Sequence, residues 1–183
     1  MSGAAGVRPL GVRALDAMSA EDALALFLEC GGAPRWAAGM AARRPFRSRA
    51  KARAAADELW RTLGPDDFRA AFARHPRIGE STSAETQSAT GRDWSAAEQS
   101  GAATASAQIH AEFAKANTAY EARFGHIYIV SATGRSADEL LAMARARMAH
   151  DPAREIEVAG RELREIMLVR LEKVLSQPRG KVV

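Results

Sequence analysis

One cysteine in 183 residues, few aromatic side chains and no long apolar run exclude several protein classes at the outset. The lone Cys30 forms no intramolecular disulfide, so the staples that hold small secreted domains together are not available. Without a C-x-x-C partner, and late on an amphipathic stretch, it reads as an inert buried thiol. A bilayer span needs roughly 20 consecutive apolar residues, and no stretch approaches that. No charged region followed by an apolar core opens the sequence, and Gly180-Lys181-Val182-Val183 is not a peroxisomal tripeptide. The expectation is a cytoplasmic protein. Of His75, His110, His126 and His150, none stands in an H-x-x-x-H or H-E-x-x-H relation to another, so no metal site is expected. Gly-rich phosphate loops are missing too, which leaves nucleotide chemistry without support.

What the sequence does have is alanine. Apolar residues make up 47% of the chain and aromatics only 6%, a balance that favours helix over sheet through backbone propensity. A chain of this length buries roughly two thirds of its unfolded surface as one domain. The fold expected is all-α, a compact bundle of about seven to eight helices around one long central helix, with residues 1–15 frayed and 176–183 a flexible tail. Twenty-six basic against 22 acidic side chains leave a net charge of +4. The densest basic run is Arg43, Arg44, Arg47, Arg49, Lys51 and Arg53. With only Phe46 among them it lacks the stacking rings of a single-strand binder, so a solvated face is expected there, not a nucleic-acid contact.

Local signals place the helices. Ser19 caps a helix carrying Leu24, Phe27 and Leu28, which stops at Gly31-Gly32. Pro34 opens the next, with Trp36 and Met40, and Pro45 closes it. Ser48 caps a segment with Ala52, Ala56, Leu59 and Trp60. After Gly64-Pro65, the acidic first turn Asp66-Asp67 starts a short helix through Phe68 and Phe72 that ends near Arg74. The Ser/Thr-rich stretch from His75 to Asp93 reads as a long loop. From Ser95 the spacing of Ile109, Phe113, Ala116, Tyr120 and Phe124 predicts one helix of about eight turns. Ile127 to Val130 is either a buried strand or an extended connector, and we take it as extended. Ser136 with Glu139 forms a capping box before Leu140 and Leu141, and Pro152 starts a terminal helix with Ile156, Leu163, Ile166, Met167 and Leu171.

Two segments have the residue types that acid/base chemistry needs. In Arg74-His75-Pro76-Arg77-Ile78-Gly79 a histidine precedes proline, which restricts it to an extended backbone able to present the ring to a cleft. A loop histidine is also a common surface residue. In Trp94-Ser95-Ala96-Ala97-Glu98-Gln99 the Ser95/Glu98 pair is either a plain capping box or, at a helix mouth facing a cleft, part of a hydrogen-bonding array for an amide-rich ligand. Residue types alone leave both alternatives standing.

At these two segments the chain resembles the decarboxylases of 2-oxo-4-hydroxy-4-carboxy-5-ureidoimidazoline (OHCU), which carry His-Pro-Arg-Ile-Gly followed by Ser-x-x-Glu-Gln. The resemblance continues through Cys30-Gly-Gly-Ala-Pro-Arg-Trp36, Arg44-Pro45-Phe46, Phe124-Gly125, Gly134-Arg135-Ser136 and Ile166-Met-Leu-Val-Arg170-Leu171, in the expected order. It implies cofactor-free conversion of OHCU to (S)-allantoin in uric acid degradation, by a homodimer with a small-molecule substrate and no nucleic-acid or membrane partner. It further implies that His75 is the acid/base, that Glu98 and Arg170 belong to the catalytic group, and that Pro76, Ser95, Glu98 and Gln99 line the substrate site. Tyr128, Ile129, Val130, Ser131 and Ala132 are similar to the family's main-chain substrate-binding segment. Ser131 stands where a cysteine is usual, and His126 where another residue, often aromatic, is usual. The competing reading is a non-catalytic helical ligand sensor or nucleic-acid-binding protein, which would have no need to keep His75, Glu98, Gln99 and Arg170 together.

Overall fold

The computed structural model describes residues 10–79, 89–100 and 107–176. Among them the chain forms nine helices and no strand. These are α1 (Gly11–Ala17), α2 (Ala20–Gly31), α3 (Pro34–Ala42), α4 (Arg49–Trp60), α5 (Pro65–Phe72), α6 (Ala89–Glu98), α7 (Ala107–Phe124), α8 (Ala137–Arg147) and α9 (Pro152–Leu175). The all-α class is as expected, and most of the boundaries follow the local signals. Ser19 and Ser48 accept the backbone N–H three residues on, Ser136 and Glu139 form the reciprocal box, and Gly32 ends α2 in the left-handed region. Pro34 and Pro152 occupy first turns, where a missing N–H costs nothing.

Three expectations are corrected. Residues 11–15 do not fray: Leu15 is fully buried, Arg44 donates to the carbonyls of Leu15 and Met18, and Asp16 accepts the N–H groups of Phe46 and Arg47. The predicted loop to Asp93 is already helical from Ala89, because burial of Trp94 and Ser95 outweighs the poor propensity of Thr90 and Gly91. Its middle, residues 80–88, lies outside the described residues. Finally, α6 ends at Glu98 and a turn follows at Gln99, so no single helix runs from Ser95 to Phe124. The long central helix is α9, 24 residues that pack against α1, α2, α5 and α7.

Two apolar clusters result. The larger joins α1 to α5 with α9 through Phe27, Trp36, Met40, Trp60, Phe72, Leu163, Met167 and Leu171. The smaller sets α7 against α8 through Phe113, Tyr120, Leu140 and Leu141. Residues 127–132, free of helix or turn, run between them. Their side chains alternate as an extended chain requires: Ile129 packs in the larger cluster, Tyr128 and Val130 in the smaller.

The basic run is partly absorbed by structure. Arg44 ties α1 to the end of α3, Arg43 pairs with Glu58, and Arg49 and Arg53 both reach Glu172.

Candidate active site

Where the two clusters meet there is a cavity, and its wall includes His75, Pro76, Ser95, Glu98, Gln99 and Arg170 together with Tyr128, Ile129, Val130 and Ala132. The imidazole stands at the exit of α5. Its Nδ1 lies 3.0 Å from the Ala71 carbonyl, which only accepts, so Nδ1 bears the proton and Nε2 keeps its lone pair. Nε2 is buried without a partner among the described residues. Burial, helped by the nearby positive charge of Arg170, lowers the His75 pKa to about 3. The ring is therefore a neutral base held in one tautomer. Its seat depends on Gly32, since a Cβ there would come within 2.8 Å of His75 Cε1.

Below His75 the chain is clamped. Buried Asn117 donates to the Ile78 carbonyl at 3.1 Å, His110 Nδ1 lies 3.1 Å from the Gly79 carbonyl, and Arg77 forms an ion pair with Glu121. Gly79, at φ 78, donates to Gln99 Oε1 at 3.2 Å. That bond fixes which way the Gln99 amide faces and leaves its Nε2 as the group able to donate to a ligand carbonyl.

Arg170, 2% exposed, organises the opposite wall. Its Nε donates to Glu98 Oε1 at 3.0 Å, Nη2 to Glu98 Oε2 at 2.7 Å and to Ser95 Oγ at 3.1 Å, and Nη1 to the Glu29 carbonyl at 2.9 Å. This fork-on-fork pairing is what a guanidinium and a carboxylate do best when buried. Lys173 adds a second cation 3.6 Å from Glu98. Cys30 lies fully buried with its thiol raised to about 12, first by desolvation, an inert group as expected.

The family model for OHCU decarboxylases matches residues 16–172. The chain belongs to the OHCU decarboxylase family. It is 34% identical over 155 residues to the uric acid degradation bifunctional protein TTL of Arabidopsis thaliana, a match covering 84% of this chain and 47% of that protein. It thus spans about half the length of that relative. Among solved structures, it matches a crystal structure of OHCU decarboxylase in the presence of (S)-allantoin with a TM-score of 0.72 and 30% identity, over 84% of this chain and 99% of that one. A structure of (S)-allantoin synthase shares the fold at a TM-score of 0.66 and 17% identity, over 92% and 54% of the two chains.

Set against the OHCU decarboxylase pattern, one expected residue stands apart. Ser131 is not in the cavity wall; its N–H donates to Glu162 Oε2 at 2.9 Å and its carbonyl accepts from Arg135 at 2.9 Å. Ser95 is no cap either, since α6 begins six residues earlier, and its hydroxyl serves Arg170. The cavity also has Ile78, Thr133 and Ile166 in its wall, which were not singled out, although Ile78 and Ile166 lie within family motifs. Of the four histidines only His75 lines it. Among the described residues no group of His, Cys, Asp or Glu is arranged to hold a metal.

Proposed function

We propose that this chain decarboxylates OHCU to (S)-allantoin, with His75 moving the protons. The observation that carries the reading is an open, neutral Nε2 buried in a cavity that Glu98 and Gln99 also line. In OHCU the carboxylate and a hydroxyl share one ring carbon next to a ring C=N. When the carbon–carboxylate bond breaks, its electron pair forms a C=C bond to the ureido-bearing carbon, the C=N pair moves onto the ring nitrogen, which takes a proton from solvent, and carbon dioxide leaves. The heterocycle is its own electron sink, so the chemistry asks nothing of a cofactor.

The enol that remains must lose its hydroxyl proton and gain one on the ureido-bearing carbon. Nε2 of His75 takes the first, and the imidazolium returns a proton on one face, which sets the S configuration. An entering substrate anion favours the protonated ring, offsetting the burial that keeps it neutral in the free protein. The Gln99 amide donates to a ureido or ring carbonyl. Arg170, committed to Glu98 and Ser95, leaves the departing carboxylate loosely held, which avoids stabilising the ground state against loss of that charge. The reading carries with it one decarboxylase domain, a homodimer and a cytoplasmic location, which the lone cysteine suits. Among the described residues no helix is long and apolar enough to cross a membrane.

Polarimetry of allantoin formed from freshly generated OHCU tests the proposal. The free enol is achiral at the carbon to be protonated, so the uncatalysed product is racemic. The protein is expected to give optically active product at an accelerated rate, and racemic product at the background rate would remove the reading.

A further inference from the structure

Residues 128–132, which supply cavity wall, are held by side chains of α8 and α9, and the ties they make alternate along the chain. Arg147 Nη1 donates to the Ile129 carbonyl at 2.8 Å. Two residues on, Ser131 donates to Glu162 and accepts from Arg135. In an extended chain the main-chain groups of residues i and i+2 leave on the same edge, and those of the residue between leave on the other. The main-chain groups of Ile129 and Ser131 therefore face the protein. Val130, whose main chain forms no hydrogen bond among the described residues, turns its N–H and C=O to the opposite edge, and Val130 lines the cavity.

Arg147 is an unusual residue to find behind such a wall. It is 5% exposed, its Nε donates to Glu155 Oε1 at 2.7 Å, and its Nη2 bonds Glu155 and, at 3.1 Å, the Tyr120 hydroxyl. The guanidinium lies 4.8 Å from the Tyr128 ring centre and 5.8 Å from that of Tyr120. Glu155, with no exposed surface, also bonds the Tyr120 hydroxyl and sits 2.6 Å from His150 Nδ1. Burying a charge pair brings a desolvation cost that a hydrophobic pair of equal volume avoids, so stability alone does not account for it. What an apolar pair lacks is a donor for the Ile129 carbonyl.

We propose that Arg147, fixed by Glu155, is a positioning residue that stands in for a neighbouring strand, holding residues 128–132 so that the Val130 main-chain donor and acceptor meet the substrate amides. The proposal rests on the decarboxylase reading of the cavity. Arg147 touches no reacting atom and acts through the backbone of Ile129.

The test compares Glu155→Gln with the double variant Arg147→Met/Glu155→Gln in stereospecific turnover. Glu155→Gln keeps an acceptor for Arg147 and leaves the tie to Ile129 in place, so KM is expected to stay near that of the wild type even as stability falls. The double variant removes the tie without stranding a charge, and KM is expected to rise about ten- to hundredfold, as misplacement of a binding group does, with kcat little changed. Equal KM values in the two variants, or a loss confined to kcat, overturn the proposal. If the double variant does not fold, Arg147→Lys takes its place, with a KM rise expected and an unchanged KM equally fatal. Amide exchange at Ser131 separates this proposal from the decarboxylase reading. It should quicken in the double variant and not in Glu155→Gln whatever the substrate is, and identical exchange in both contradicts the tie. An inactive wild type sinks only the decarboxylase reading.

Discussion

His75 has two ring nitrogens with opposite situations, one satisfied by Ala71 and one left open in a cavity. The linkage between its burial and stability has a definite sign. Its folded pKa, about 3, lies below the ordinary 6.5, so between those values the unfolded chain binds a proton that the folded chain does not. The contribution is complete above pH 6.5 and is lost as pH falls towards 3, with a slope of up to about 1.4 kcal/mol per pH unit. His75→Asn is expected to flatten the stability profile in that window, as measured by urea denaturation at several pH values; parallel profiles would show that the ring is not buried neutral. Arg170 makes a second prediction at this scale. Arg170→Met leaves the buried Glu98 carboxylate with only Lys173 as a charge partner and is expected to cost about 3–5 kcal/mol, whereas Arg170→Met/Glu98→Leu recovers most of that stability and stays inactive. Denaturation midpoints with activity assays separate the two.

Among the helices, α9 does the most to build the site. Glu155, Glu162, Ile166 and Arg170 recur at spacings of seven, four and four, one stripe of a 3.6-residue helix. Along that stripe Glu155 holds Arg147, Glu162 holds Ser131, Ile166 forms cavity wall and Arg170 holds Glu98 and Ser95. The end of α2 supplies the seat of the imidazole. Gly32→Ala places a side chain at φ 68 and 3.1 Å from the Ala71 carbonyl as well as against the ring, so a loss of about 1–2 kcal/mol with a larger loss of kcat is expected from thermal melts and kinetics. Stability lost with kcat intact would show that the glycine serves only the helix end. At this scale the sequence was legible wherever the signal was local. Ser19, Ser48, Ser136, Gly32 and Pro152 marked boundaries because caps and first turns act within three or four residues. Ser95 and Glu98 satisfied the same local rule and misled, because their partner is Arg170, more than 70 residues away. No spacing rule reports a tertiary ion pair.

At the level of the whole molecule, the fold class followed from composition and helical periodicity, and the site's membership from the family motifs. What neither exposed was the support behind it. Arg147 and Glu155 look like ordinary helical charges in sequence, and only the packing of α8 against α7 and the course of 127–132 turn them inward. His75 and Glu98 come from the middle of the chain and Arg170 from its last helix, and they meet where the two apolar clusters join, so the cavity exists only in the assembled fold. In the proposed function one buried imidazole manages the protons of a reaction in which the heterocycle holds the electrons. The most direct measurement is turnover of freshly generated OHCU by His75→Ala, followed by the optical activity of the product, with circular dichroism and melting temperature recorded on the same sample. A helical, stably folded protein that yields only racemic allantoin at the uncatalysed rate is expected, and optically active product formed by that variant at the wild-type rate would contradict the role proposed for His75.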